Sequence, residues 1–530
     1  MRYVLAFFIT ALISWISHTP AQETPRNVKI INLLHCDNLD GNEQKYGKNV
    51  QALFGNVKLR HENTQMFCDS AFLNRATNYV EAYGSIHIIQ DDSIHLYGKE
   101  LYYIGNEGIA KVRKNVRLVN NDIVLTTEYL DYNRISDVAY YFNGGKLTSG
   151  ENVLESNWGY YFPKSDLAQF RDSVVVTNPN YLMYSDTLLF NTKTEIAYIT
   201  GPATIISDKN IIYSEAGFYD TKSDVARLEK NSSITTEEQI LLGDTIFYNR
   251  KTGFGEVFSN MFLQDTTNNV IITGNYGFYN ELTKEALATK KAVMMQIYQN
   301  DTLFLHADTL RIDSIPGREH QLIRAYRHVK FYRTDFQGRC DSMVFDLADS
   351  INTFYHDPVL WSMENQMTAE IIKLYTKNQQ LYKAELINDG FVISREDSLH
   401  FNQIKGKLIT GYIKENELYR IEVDGNGQSI YYPKDDDVMI GVNKTESSSI
   451  TILLEDRKVT GITTRVQPKG NLNPVFLLPI ENQRLAGFRW LDEFRPKQMS
   501  DIFKRDIPPP PERRPTYSDY SFDRDLPGKK

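Results

Sequence analysis

Leu242-Gly243-Asp244-Thr245-Ile246-Phe247-Tyr248-Asn249 is one copy of a stretch that this chain writes many times. Tyr184-Ser185-Asp186-Thr187-Leu188-Leu189-Phe190-Asn191 is a second, and Tyr213-Ser214-Glu215-Ala216-Gly217-Phe218-Tyr219-Asp220 a third. His306-Ala307-Asp308-Thr309-Leu310-Arg311-Ile312-Asp313 continues the series. Counted on the acidic or amide position, copies begin at 37, 69, 99, 128, 157, 186, 215, 244, 275, 308, 341, 370 and 403, with five successive gaps of 29. A period of this size is the mark of a repeat architecture, in which one elongated body replaces the several domains that 530 residues would otherwise suggest.

Each unit has a second half, as in Tyr79 to Ile88 or Ile323 to Phe331, where apolar residues alternate on either side of a polar or Gly break. Asn, Thr, Lys, Ser and Gly separate the halves, for example Asn191-Thr192-Lys193-Thr194, and these are turn residues. Every unit therefore reads strand, turn, strand, bend, strand, with no helical period from Asp37 to about residue 435. Aromatic residues make up 12% of the chain, which suits strands. The expected fold is all-β and elongated, of about 13 units. The alternation puts one set of side chains on a common inward face: Ile86, Ile88, Leu101, Tyr103, Leu130, Val174, Leu188, Phe190, Ile246, Tyr248, Leu310, Ile312, Val329 and Phe331. Phe247 and Phe278 are apolar at intervening positions, which leaves the inward register open. The recurring Asp is read as turn chemistry: at the start of a strand and before Ser or Thr, it bonds its own backbone two residues on.

Arg2, the apolar run Val4 to Ile16 and Thr19-Pro20-Ala21 read as a cleaved export signal over residues 1–21. The repeats are divided into an N-terminal half, 28–250, and a C-terminal half, 251–435. A terminal hairpin and an amphipathic segment follow over 436–503, with one helix expected from Arg484 to Phe503, interrupted at Pro496. Residues 504–530 are Pro-rich and charged, and are expected to be disordered and dispensable for folding.

The net charge is −8 and no basic patch of the kind nucleic acids require is present. Cys36, Cys68 and Cys340 each stand directly before the recurring Asp. A Cys36–Cys68 bridge requires consecutive units to bring these positions within about 7 Å. The sequence has no Gly-x-Ser-x-Gly elbow, phosphate-binding loop, Cys-x-x-Cys or His-x-x-x-His pattern, and its ten His stand singly. No catalytic residue, metal site or cofactor is expected.

Ala82-Tyr83-Gly84-x-Ile86-x-Ile88, Asp186-Thr187-Leu188-x-Phe190 and Gly243-Asp244-Thr245-Ile246-Phe247-Tyr248-Asn249 resemble the organic-solvent-tolerance (OstA-like) family. These are periplasmic bridge proteins of lipopolysaccharide export in Gram-negative bacteria. The resemblance covers roughly residues 28–435. It implies a β-jellyroll whose two sheets meet in a V-shaped trough, with lipid acyl chains carried on the apolar inside. It also implies lipopolysaccharide or its lipid A part as ligand. Other jellyroll components, including the outer-membrane translocon, would be partners through edge-strand pairing. Two other classes compete: a carbohydrate-active enzyme on a parallel β-helix, with carboxylates from neighbouring rungs, and a structural or adhesive β-repeat protein.

Overall fold

A computed structural model describes residues 29–506, apart from 300, 315–320, 379, 416, 436–437 and 457. The export signal expected over 1–21 and most of the Pro-rich tail lie outside the described residues. The chain forms two compact units, residues 29–179 with 189–193, and 180–188 with 194–506, whereas the sequence divided the repeats at 250/251.

Within the N-terminal unit each repeat is a pair of long antiparallel strands, such as Tyr79–Gln90 with Ile94–Ile104 and Ile109–Asn120 with Ile123–Asn133. The pairings are antiparallel in both units, so a parallel β-helix is not the fold. Every long strand breaks register near its middle, for instance between Tyr83 and Ile86 and between Tyr97 and Glu100. The break is a corner. On alternate strands two consecutive residues adopt left-handed φ, as at Gly84-Ser85, Lys114-Asn115 and Asp172-Ser173 in the first unit and Lys230-Asn231, Ser259-Asn260 and Arg327-His328 in the second. Gly and Asn tolerate this conformation best. A Cβ at Gly84 would also lie 2.2 Å from an Asp69 carboxylate oxygen.

The recurring acidic residue belongs to this corner, which corrects its reading as a self-bonding turn residue. It sits mid-strand and clips the left-handed pair of a neighbouring strand: Asn56 donates to Asp37 at 2.9 Å, Asn231 to Glu215 at 2.8 Å and Asn260 to Asp244 at 2.8 Å. Self-bonding is done by the Asn or Asp that closes the octet. Asn249 Oδ1 accepts the amides of Lys251 at 3.0 Å and Thr252 at 3.1 Å, and Asn133 and Asp220 do the same. Asn74, Asn280 and Asp346 also bond amides two and three residues on, so the turn chemistry is present in these copies, but five residues later than expected. The last copy also shifts. The corner of strand Phe401–Lys414 is at Gly406-Lys407, opposite Gly425, so Lys407 holds the position assigned to Gln403. A further left-handed pair at Val466-Gln467 carries the pattern past residue 435, beyond the hairpin Val442–Glu455 with Lys458–Arg465.

Bending folds each strand onto itself. Its two halves become rungs of two facing walls, joined covalently at the corners, and each repeat adds two strands, about 9.6 Å, to each wall. Side chains alternate inward and outward on both walls, and the core lies between them. The residue after most left-handed pairs points inward and is buried, as with Ile86, Val116, Val174, Met261 and Val329. All three cysteines are free; Cys68 and Cys340 are buried, and burial pushes the Cys68 thiol up to about 12.

In the second unit a strap, residues 475–506, crosses the outer surface of one wall. It replaces the expected helix with four short 3-10 turns, Val475–Leu477, Ile480–Gln483, Asp492–Phe494 and Met499–Phe503. Pro474 and Pro479 precede the first two turns and Pro496 the last, each restricting the residue before it. Phe391 and Ile393 occupy outward positions, yet they are buried with Phe401, Ile430, Tyr432 and Leu485 because the strap packs on them. Two buried glutamines hold its main chain in the same way. Gln403 accepts from Leu485 N at 2.8 Å and donates to Gln483 O at 2.9 Å; Gln366 accepts from Leu491 N and donates to Arg489 O, both at 2.7 Å. The strap ends with Lys330 bonding Lys504 O and Asp506, each at 2.6 Å, and Arg505 paired to Asp308. Residues 504–506 are therefore part of the folded unit, contrary to the expectation of disorder from Lys504.

Candidate functional site

The inward residues converge between the walls. Ile86, Ile88, Leu101, Tyr103, Leu130 and Val174 do so in the first unit, and Ile246, Tyr248, Leu310, Val329 and Phe331 in the second, all 3% exposed or less. Leu188 and Phe190, on strand Tyr181–Asn191, are fully buried, and Ile312 is half-buried. Phe247 and Phe278 point outward and are half-buried, which resolves the register left open by the sequence. A cavity of ≈ 20 Å³ between Ile234, Leu241, Tyr248, Leu263 and Tyr279 holds a water molecule at most, not an acyl chain.

Opposite the corners the walls end in two rows of turns, the lips of a mouth. One lip is acidic. In the first unit its turns carry Glu62, Asp91, Asp92, Asp122 and Glu151 and no Lys or Arg; in the second they carry Asp208, Glu237, Glu238 and Asp335, with Lys209. The other lip is marked by a tyrosine just before the turn: Tyr103, Tyr132 and Tyr161 in the first unit, Tyr219, Tyr248 and Tyr279 in the second.

The tyrosines fasten the mouth. Tyr103 OH bonds His61 Nδ1 at 2.6 Å, Asn120 donates to Tyr161 OH at 2.9 Å, Asn210 donates to Tyr248 OH at 2.6 Å, and Tyr279 OH bonds Gln239. In each pair the partner stands on the acidic lip. Tyr132 and Tyr219 instead donate to Asp137 at 2.6 Å and Asp224 at 2.8 Å on their own lip. Burial, ahead of any neighbour, raises the pKa of Tyr103 and Tyr248, so both stay protonated donors, and burial lowers that of His61.

Charged links cross the mouth with one polarity. Arg134 on the tyrosine lip pairs with Glu62 on the acidic lip, and its Nε donates to Tyr103 OH at 2.9 Å. Lys284 reaches Glu238 at 3.3 Å, and Arg250 donates to Asn180 O at 2.9 Å while pairing with Asp224 at 3.0 Å. The Lys29 ammonium and the Arg134 guanidinium hold the Glu62 carboxyl down at about 2.

Residues 28–186 and 204–296 match the family model of the OstA-like proteins. These repeats belong to the OstA-like family. A solved structure of LptH, the LptA-homologous periplasmic component of the conserved lipopolysaccharide transport device from Pseudomonas aeruginosa, is also similar to the chain. The identity is 13% and the TM-score 0.21, over 26% of this chain and 95% of that one. No curated protein matches the chain.

Among the described residues of this OstA-like chain no group of three or more His, Cys, Asp and Glu is placed to hold a metal, and no helix is long and apolar enough to cross a membrane. His87 and His95 pair with each other at 3.1 Å and stack on Tyr97, on the outward face of their strands. The inward residues were visible in the sequence through their alternation. The lip partners His61, Asn120, Asn210 and Gln239 were not. Their one signal is a polar residue at the inward parity of a strand end, and turns of unequal length blur its period.

Proposed function

We propose that the protein is a periplasmic lipid-binding bridge, which carries the acyl chains of lipopolysaccharide between its walls on their way from the inner to the outer membrane. One observation supports it most. Within each unit the apolar interior recurs on every rung, while opposite the corners the walls are tied by side-chain polar links. Parting those links opens a slot lined by Ile, Leu, Val, Phe and Tyr without breaking a strand pairing. Each CH₂ withdrawn from water contributes about 0.8 kcal/mol, so a single acyl chain of a dozen carbons offsets several such links. The kind of lipid comes from what the resemblance of the OstA-like repeats implies. The role is binding and transfer, not catalysis, with the signal at residues 1–21 directing export and exposed edge strands pairing with other jellyroll components of the bridge.

The test is photocrosslinking in living cells from Phe190, Ile246 and Leu310. Lipopolysaccharide adducts at all three are expected. Their absence from every position, in protein shown to be exported and folded, refutes the reading.

A further inference from the structure

The mouth is fastened with a consistent sense. In each charged link that crosses it, the cation is on the tyrosine lip and the carboxylate or carbonyl is on the acidic lip: Arg134 to Glu62, Lys284 to Glu238 and Arg250 to Asn180 O. Opening the mouth therefore does not leave the two lips equivalent. On the acidic lip it frees carboxylates that hydrate easily, with Glu62 and Glu238 side chains 24% and 60% exposed. On the tyrosine lip it strands Arg134, whose side chain is only 12% exposed, and takes the Asn180 carbonyl from Arg250, 11% exposed, which keeps Asp224 on its own lip. A poorly hydrated guanidinium that loses a counter-charge needs another acceptor. Water serves badly there, and an oxyanion serves well because guanidinium forms paired, charge-assisted bonds to it.

We infer that the tyrosine lip is the headgroup site of the trough: when the mouth opens, phosphate on the headgroup of the bound amphiphile takes the place of the acidic lip on Arg134, Arg250 and Lys284. This rests on the lipid-bridge reading and adds to it the chemistry and orientation of the headgroup. The acidic lip repels phosphate, so the amphiphile sits with its anionic groups toward one wall. Tyr103, Tyr161, Tyr248 and Tyr279, released from His61, Asn120, Asn210 and Gln239, present hydroxyls to the sugar beside it. The same bonds that close the empty protein are in this way exchanged one for one during loading. Rungs that repeat the exchange let the headgroup step from one to the next.

The experiment compares binding of an acylated, phosphorylated glucosamine disaccharide with that of its unphosphorylated counterpart by the full mature chain. Lys284→Gln changes an exposed side chain, and Arg134→Gln is checked for folding by circular dichroism beside Arg134→Lys, which keeps the charge. Both Gln variants are expected to bind the phosphorylated amphiphile about tenfold more weakly, the worth of one charge-assisted bond, and the unphosphorylated one as the parent does. Arg134→Lys recovers most of the loss. Glu238→Gln, which removes the competitor and keeps the cation, binds the phosphorylated amphiphile more tightly. Equal losses for the two amphiphiles, or no loss for either, overturn the headgroup site and leave the trough standing. A parent chain that binds neither amphiphile overturns both.

Discussion

Replacing Gln403 with Leu isolates what fastens the strap. The Gln403 side chain is fully buried, and its amide satisfies Leu485 N–H at 2.8 Å and Gln483 C=O at 2.9 Å. Leucine is of similar size and fills the space, so little packing is lost. The strap backbone, however, keeps a donor with no partner, and the Gln483 carbonyl is left with the longer bond from Arg484 Nη1 at 3.3 Å. Each unsatisfied buried group costs about 1–3 kcal/mol. The better burial of a Leu side chain offsets part of this, leaving a net of roughly 2–4 kcal/mol. That lowers the free energy of local strap release, not of global unfolding, because the walls do not depend on the bond. Hydrogen exchange is the direct assay. The Leu485 amide loses its own acceptor and is a poor reporter, but Phe488 N–H bonds Leu485 O at 3.0 Å and opens only when the strap leaves. Its exchange in Gln403→Leu is expected to accelerate roughly 30- to 1,000-fold, the factor that 2–4 kcal/mol represents. Unchanged protection at Phe488 would mean that the apolar contacts of Phe391, Phe401 and Trp490 hold the strap alone, and the amide-clamp reasoning would be wrong.

Asp244→Ala is expected to cost about 1 kcal/mol in a denaturant melt, the value of its bond to Asn260, and to leave lipid crosslinking at Ile246 untouched; lost crosslinking in a folded variant contradicts a purely corner role. Gly243→Val is expected to cost more than about 2 kcal/mol, because the added Cβ falls 2.2 Å from Val257 Cγ1, and a melt within 0.5 kcal/mol of the parent argues against that packing. The folded pKa of Glu62 is depressed to about 2, so its contribution is complete above about pH 4.5 and is lost as pH falls from there through 2. Glu62→Gln should flatten that part of the stability–pH curve, while a curve unchanged between pH 4.5 and 2 removes the link from consideration. Under native conditions a thiol reagent should label Cys36 and spare Cys68 and Cys340, whose thiols are raised by burial, and rapid labelling of all three would show that the interior opens readily without lipid.

What could be read in the sequence follows from how strictly each feature repeats. Inward residues such as Leu101, Ile246 and Val329 obey a two-residue alternation inside a near-constant period, and their placement was legible. The corner was half legible. Asp244 recurs visibly, but its partner Asn260 lies 16 residues on, and a bond across strands has no local signature. A closer, familiar explanation in Asx-turn chemistry took its place, and that chemistry turned out to belong to Asn249. The strap was misread for a different reason. Leu485, Phe488 and Leu491 fall at helical spacing, yet the side chains they meet, Phe401 and its neighbours, reward an extended path along the wall, and tertiary packing outweighs a weak local preference. Lys504 to Asp506 looked like tail because their partners, Lys330, Arg339 and Asp308, are more than 160 residues away.

The 29-residue period is the sum of unequal parts. From Val138 it is a strand of 12 residues, a turn at 150–151, a strand of 11 and a turn at 163–166. The interior of a strand is locked, since one residue added inside it would carry every side chain beyond it to the wrong face. The turns have no such constraint, and the gap of 33 between the copies at 275 and 308 appears where the connections 281–285 and 298–301 lengthen the lips. Insertions and substitutions are therefore tolerated at the mouth and forbidden at the hinge. A lineage of such proteins can change what it recognises along the rim, repeat by repeat, while inheriting the interior unaltered.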